Sequence, residues 1–570
     1  MIKRLVFLFI IFHYSFLIVF PQDINKAFEY YDAGQYDKAA VEFENALPTI
    51  EEKYGSTDTT YYSNYLVFTA YSYEKCQQYF KAETYYLKAK AIYEENDAIY
   101  CPLFSSILIS LGQLYEDQLN YEKTEPIYLQ LLKIVKKTLG DDHPNYAWTL
   151  AKICSIYNGM GDHSKAETFC IQVLETDKKL FGEISKEYAI DLNNLAITYE
   201  VKKDYVNAEL YYKKELHIWK YLESDKYQYY YIRTLHHLAK LYHYLTKDYG
   251  QGESFYLQIL QVLKKNKGEN DEGCKTIITE LAHLYQEMCD YEKAETLYLR
   301  ALEINRKILG EEHPDYARSL NNLAILYREI GNYEKAETLF LQTLEIRKKV
   351  LGEELPEYAT SLNNLAHLYF DMGNYEKAET YFLRVLCFSV DTNDKSNDYA
   401  IILNNLGQLY NEINNYEKAE FYLLKASRVF INLHDMDSVN YANNLTNLAN
   451  LYWKLCNYEA AELLFIQALE IRKKVLGEEH PDYAVSLNNV AIIYRDMGRY
   501  EKAESFLIQA LEITKIVFGV EHPNYANSLN NLAVTYNDVF NYEKAEPLYL
   551  QALEIRRKVL GDKHPAYANS

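Results

Sequence analysis

The chain has 570 residues, a net charge of −21 and 59 tyrosines, against only 20 glycines and 11 prolines. So acidic a chain lacks the basic footprint that duplex or single-stranded nucleic acid requires. Scarce glycine and proline suit long helices, and the eight cysteines form no CxxC pair that would suggest a metal knuckle.

The first 22 residues stand apart. Lys3 and Arg4 precede an apolar stretch from Leu5 to Phe20, interrupted only by His13, Tyr14 and Ser15. A basic start before a short apolar segment predicts a secretory signal and an exported protein, periplasmic or extracellular. The stretch falls short of the ~20 residues that span a bilayer comfortably. Phe20-Pro21-Gln22-Asp23 offers no small-x-small cleavage site. Retention as an amino-terminal anchor is therefore the alternative, and the one route by which a membrane would become a partner.

After the leader a Tyr-Glu-Lys-Ala-Glu word returns about every 42 residues, at Tyr36, Tyr79, Tyr121, His163, Tyr205, Tyr249, Tyr291, Tyr333, Tyr375, Tyr416, Tyr458, Tyr500 and Tyr542. Self-similarity of this period predicts a solenoid, one continuous array over 23–570 in which each unit buries its apolar face on its neighbours. Residues 315–357 show the unit most plainly. Pro314 sits where a first-turn proline is tolerated, and Leu320, Leu323, Ala324 and Tyr327 follow at i, i+3, i+4 and i+7. Gly331-Asn332 breaks this helix. A second starts near Glu334, with Ala336, Leu339, Phe340, Leu344 and Ile346 as its apolar set, acids in its first turn and Arg347, Lys348 and Lys349 in its last. Gly352 stops it. The unit is a helical hairpin, with the two alanines at the close approach and Tyr327 and Phe340 filling the gaps.

Departures from the unit are spread along the chain. Unit one, 23–55, has a shorter turn and no His-Pro. Cys154 and Cys170 occupy helix-core positions of one unit and read as two small buried hydrophobes, with a structural disulfide as the alternative in an exported protein. Unit six carries Arg233, His236, His237, Lys240 and His243, with Tyr244 beside them, a local cationic patch in an acidic chain. Glycines at 250 and 252 weaken the following helix start and mark 248–254 as a candidate hinge. The connections at 264–275, 388–398 and 431–440 also lack His-Pro.

Leu323-Ala324-x-x-Tyr327 followed by Gly331, Tyr333, Ala336 and Phe340 resembles the tetratricopeptide repeat. The 42-residue period and the wording from Leu469 through His480-Pro481-Asp482-Tyr483-Ala484 to Asn488-Asn489 resemble the kinesin-light-chain type, strongly over 291–568 and more loosely before. The resemblance implies a right-handed all-α superhelix of about 13 hairpins whose first helices line a concave groove. It further implies that asparagines there bond the backbone of extended peptides, which makes protein segments the expected partners. Those asparagines are Asn193 and Asn194, Asn321 and Asn322, Asn363 and Asn364, Asn404 and Asn405, Asn447 and Asn450, Asn488 and Asn489, and Asn530 and Asn531. An amide both donates and accepts, so it satisfies a peptide group without demanding a sequence. The competing expectation is that the pairs bridge neighbouring helices.

On the same face the unit-six patch suits an acidic peptide or a C-terminal carboxylate. His236, His243 and His283 are the residues open to a metal, but nothing in their spacing fixes a ligand geometry and no metal is assigned to them. Trp148, Phe370 and Trp453 are candidate anchors. The His-Pro histidines, His143, His313, His480, His522 and His564, repeat with the fold and are read as part of the inter-unit turn. With no HExxH, GxSxG or phosphate loop, neither catalytic residue nor cofactor is expected within the 570 residues. The last residues begin another first helix, which suggests a longer natural chain. By resemblance to exported repeat proteins, a caspase-like peptidase is one candidate for a domain beyond Ser570.

Overall fold

The computed structural model describes residues 22–222, 225–268, 270–353, 355–390 and 396–560. The apolar leader, residues 391–395 of the 388–398 connection, and the half-unit after 560 with His564 lie outside the described residues. Twenty-six α-helices run between Gln22 and Leu560, with no strand among the described residues. They form thirteen hairpins, and every second helix begins at the residue that marks the repeat, from Tyr36 to Tyr542. The all-α hairpin solenoid read from the period is the observed fold. Its helices gather into two compact bodies, one ending at Leu238 and one starting at Ala239. The division falls inside the first helix of unit six.

Many helix starts are capped by a side chain, though those after Gln35, Tyr61, Gln78, Leu355 and Arg499 are not. At four inter-unit turns the histidine of His-Pro is the N-cap: the Nδ1 atoms of His143, His313, His480 and His522 accept the backbone N–H two residues on, each at 3.1 Å. Proline then takes the first helical position, where its missing N–H costs nothing. Where His-Pro is absent, Ser185, Asp271, Ser396 and Ser438 make the same kind of cap. The variant connections therefore keep the joint while changing its chemistry.

The core follows most of the predicted apolar set, but Leu339, Leu344 and Ile346 are half-buried, and Thr343 and Arg347, the latter expected in the last turn as a cation, are buried. Ala324, Ala336 and Phe340 are fully buried and Tyr327 nearly so. Two units carry glycine at the position of Ala324. A methyl group on Gly112 would lie 2.6 Å from the Tyr128 ring, and one on Gly407 would lie 2.5 Å from Leu423.

Neighbouring units are joined by a second device built from the repeating word. In most units the tyrosine of the first helix donates its hydroxyl to the second glutamate of the preceding unit's word. Examples are Tyr115 to Glu83 at 2.8 Å, Tyr452 to Glu420 at 2.8 Å and Tyr536 to Glu504 at 2.6 Å. The word's lysine in the tyrosine's own unit lies over the ring, as Lys335 does on Tyr327 at 4.5 Å and Lys377 on Tyr369 at 4.4 Å. Where all three residues are present, glutamate, tyrosine and lysine thus form a clasp across the joint.

The expected hinge takes another form. Tyr249–Lys267 is one uninterrupted helix capped by Asp248. The irregularity lies before it, in a π-turn over Leu241–Leu245. Gly252 packs against that turn: a methyl group there would meet Leu284 at 3.0 Å and the His243 nitrogen at 3.4 Å. Gly252 permits this close approach.

Candidate functional site

The asparagines of the first helices are brought together as a ladder between neighbouring units. Asn364 donates to Asn321 at 2.8 Å; Asn405 reaches Asn363 at 3.5 Å and His367 at 3.3 Å. Asn444 and Asn447 both donate to Asn404, at 3.2 and 3.1 Å, and Asn531 to Asn488 at 3.4 Å. Asn321, Asn404 and Asn405 are buried by this, while Asn194, Asn322, Asn363, Asn364, Asn447, Asn450, Asn488, Asn489, Asn530 and Asn531 stay half-buried along the same helices. Asn193 departs from the set. It turns into the core and donates to Glu215 at 3.1 Å.

That buried carboxylate reorders the expected cationic face. Glu215 has no exposed surface and occupies the register at which other units place Ala301, Ala468 or Ala510. Burial pushes its carboxyl up, opposed by donors from Trp219, Thr234, Arg233 and Asn193. In the amino-terminal body Arg233 is its counter-ion at 3.2 Å and stacks on Tyr230. His237 stacks on Tyr212 at 5.1 Å, and His236 is half-buried. In the carboxy-terminal body Lys240 is exposed, but His243 is wholly buried against the Tyr256 hydroxyl at 3.2 Å. Burial brings His243 down to about 4, so it is neutral at physiological pH. Tyr244 donates to Glu280 at 2.6 Å. The patch is corrected on this point: Arg233 serves a core carboxylate and His243 carries no charge. Residues that the sequence displayed as one face are used largely within the fold.

His283 lies 2.7 Å from the Tyr298 hydroxyl, and among the described residues no group of three or more His, Cys, Asp or Glu is placed to hold a metal ion. Trp453 donates its indole N–H to Asp496 at 2.7 Å, and Phe370 packs on Tyr375.

Trp148 has a different setting. With Ala151, Lys152, Cys154, Ser155 and Asn158 of its own helix, and Asn194 and Ile197 of the next first helix, it lines a cavity of about 410 Å³. Every lining residue belongs to the first helices Pro144–Met160 and Lys186–Val201 of units four and five. Lys152 is paired with Glu116 at 2.7 Å, so the wall is aromatic and amide rather than cationic. Behind it Cys154 and Cys170 are joined in a disulfide, in place of the two reduced buried hydrophobes that the sequence first suggests.

A second cavity, of about 720 Å³, lies within the carboxy-terminal body between residues of units six to eight and units twelve and thirteen. Here the His522 Nε2 approaches the Cys289 sulfur at 3.3 Å and the Glu287 carbonyl at 3.4 Å. This thiol–imidazole contact is not arranged for nucleophilic catalysis. The His522 Nδ1 lone pair is committed to its helix cap, so Nε2 carries the proton and has none to accept. Burial also pushes the Cys289 thiol up and His522 down, opposite to an ion pair. Sequence reasoning missed this contact, since no local pattern brings together residues 233 positions apart.

One tetratricopeptide repeat model matches residues 274–349, 327–388, 357–432, 440–516, 486–558 and 524–570, together just over half of the chain. The chain belongs to the tetratricopeptide-repeat family. A second model of that repeat matches residues 105–145, in the part where the wording is looser. Among solved structures, BtubC (BKLC) from P. vanneervenii is 22% identical, with 48% of this chain and 94% of that one covered and a TM-score of 0.30. Two structures of a Podosopora anserina kinesin-light-chain protein with nearly identical TPR-like repeats are each 23% identical over 43% of this chain, covering 97% and 98% of theirs, with TM-scores of 0.25. No curated protein matches the chain by sequence.

Proposed function

We propose that this tetratricopeptide-repeat chain is a protein–protein interaction scaffold that holds peptide segments of partner proteins along its first helices. Repeats of this family generally mediate protein–protein contact. The observation that carries the finer reading is the cavity of units four and five, lined only by first-helix residues, with a tryptophan wall and the amides Asn158 and Asn194. An aromatic wall supplies apolar contact area, and the amides meet peptide groups of either polarity. The half-buried asparagines of later units extend the same chemistry along the array.

Export belongs to the same proposal. The basic-then-apolar leader and the Cys154–Cys170 disulfide both suit an oxidising compartment. No described helix is long and apolar enough to cross a membrane.

The test uses peptides selected by the intact protein from a displayed library of unstructured sequences. Trp148→Ala and Asn194→Ala should each weaken binding of the selected peptides by about tenfold or more, while Phe421→Ser, on an exposed second-helix position, leaves it unchanged. Equal affinity for all three variants would remove the groove from the proposal.

A further inference from the structure

One inter-unit joint is built from acceptors alone. In several units a fixed position of the second helix supplies a hydrogen-bond donor to the next first helix. Asn305 donates to the Asp315 carbonyl and Ser319, at 2.9 and 2.8 Å. Arg347 donates to the Glu357 carbonyl and Ser361, both at 2.8 Å. Arg472 donates to Ser486. In unit four the residue in this register is Asp177, and those in the registers of Glu357 and Ser361 are Glu187 and Asp191. Asp177 and Asp191 are 7% and 5% exposed, and each has one buried carboxylate oxygen without a partner.

Two carboxylates buried face to face cannot both ionise without donors to meet them. We propose that Asp177 and Asp191 share one proton at neutral pH, making the joint between units four and five a pH-sensitive device that is closed while the proton is held and loosens when it leaves. The charged group bearing on both is Glu187, at the start of the unit-five helix, and it favours the protonated state. The first helix of unit four presents Trp148 in the register from which Asn443 meets Arg472, so no cation comes from that side. Burial, then the charge of Asp177, brings Asp191 up to about 9, and burial raises Asp177 as well.

Proton linkage sets the sign. Both carboxyls ionise near their ordinary pKa in the unfolded chain, so between about pH 4 and 9 the closed joint holds one proton more than the open one. Its opening constant therefore rises about tenfold per pH unit in this window and levels off above it.

Hydrogen exchange of residues 173–195 in the full chain, corrected for intrinsic exchange, reads this opening directly. The wild type should gain about tenfold per pH unit from pH 6 to 9. Asp177→Asn, which installs the side chain that Asn305 already uses in this register, should remove the slope. Asp177→Arg, on the pattern of Arg347, should do so as well. Equal slopes in the wild type and both variants would overturn the proposal. So would restored protection at pH 9 on adding calcium or magnesium, which would make the pair a cation site instead.

Discussion

Gly112 faces the Tyr128 ring with no space for a methyl group between them. Gly112→Ala should therefore destabilise the protein by about 1–3 kcal/mol through overpacking, read as a lower urea midpoint at unchanged slope. A midpoint equal to wild type would mean that the helices separate freely there. Residue roles fixed by size are legible in the sequence, because Ala324, Ala336, Tyr327 and Phe340 recur with the period and pack as their volumes require. Roles fixed by charge are not. Arg233 reads as groove surface because its partner, Glu215, lies 18 residues earlier in another helix. The usable signal is Glu215 itself, an acid in an alanine register. His243 is misplaced by the sequence for a related reason: the π-turn shifts the helical phase, and no residue in Leu241–Leu245 announces it.

At the scale of the element, two devices set helix ends and joints. His313→Ala should cost about 1 kcal/mol by removing the acceptor for the Asp315 N–H. His313→Ser should recover most of that, since Ser396 and Ser438 cap equivalent helices; denaturation of the two variants side by side checks it. The tyrosine–glutamate clasp is measured by a double-mutant cycle on Tyr452→Phe and Glu420→Gln, with an expected coupling of about 1–2 kcal/mol. Additive effects would show that the 2.8 Å contact contributes nothing. The clasp also explains the repeating word more fully than packing does. Tyrosine, glutamate and lysine recur together because one joint uses all three, the glutamate coming from the unit before. The period marks the tyrosine as structural, but a partner 32 residues away stays hidden until the hairpins are stacked.

At the scale of the whole molecule, buried histidines and buried carboxyls respond to acid with opposite sign, and the histidines are gathered in the carboxy-terminal body. In the carboxy-terminal body His243 and His367 are brought down to about 4 by burial, and His283, His480 and His522 are lowered by it too. A lowered folded pKa means that the unfolded chain binds more protons, so stability is present above about 6.5 and is lost as pH falls toward 4. Carboxylates add to the loss at lower pH. Lys202 and Tyr199 hold Glu167 below its ordinary range, and for Glu83 the same kind of donors, Lys123 and Tyr115, outweigh its burial. Thermal melts from pH 7 to 4 should show a falling midpoint, about 1.4 kcal/mol per pH unit for each histidine that stays neutral. His243→Phe should shallow that fall, and a flat profile would contradict the burial of these imidazoles.

The fold is legible at this scale because a 42-residue period admits few architectures, and the second helix of each of the thirteen hairpins begins where the repeating word does. The first-helix face is legible as a face, but not as a cavity. The wall at Trp148 depends on how units four and five stack, and the period says nothing of that. The most direct test of the scaffold reading is hydrogen exchange on the intact chain, with and without a peptide selected on it. Slowed exchange should fall on the first helices 144–160 and 186–201 and spare the second helices. Protection on the second helices instead, or none on 144–160 and 186–201, would contradict the account.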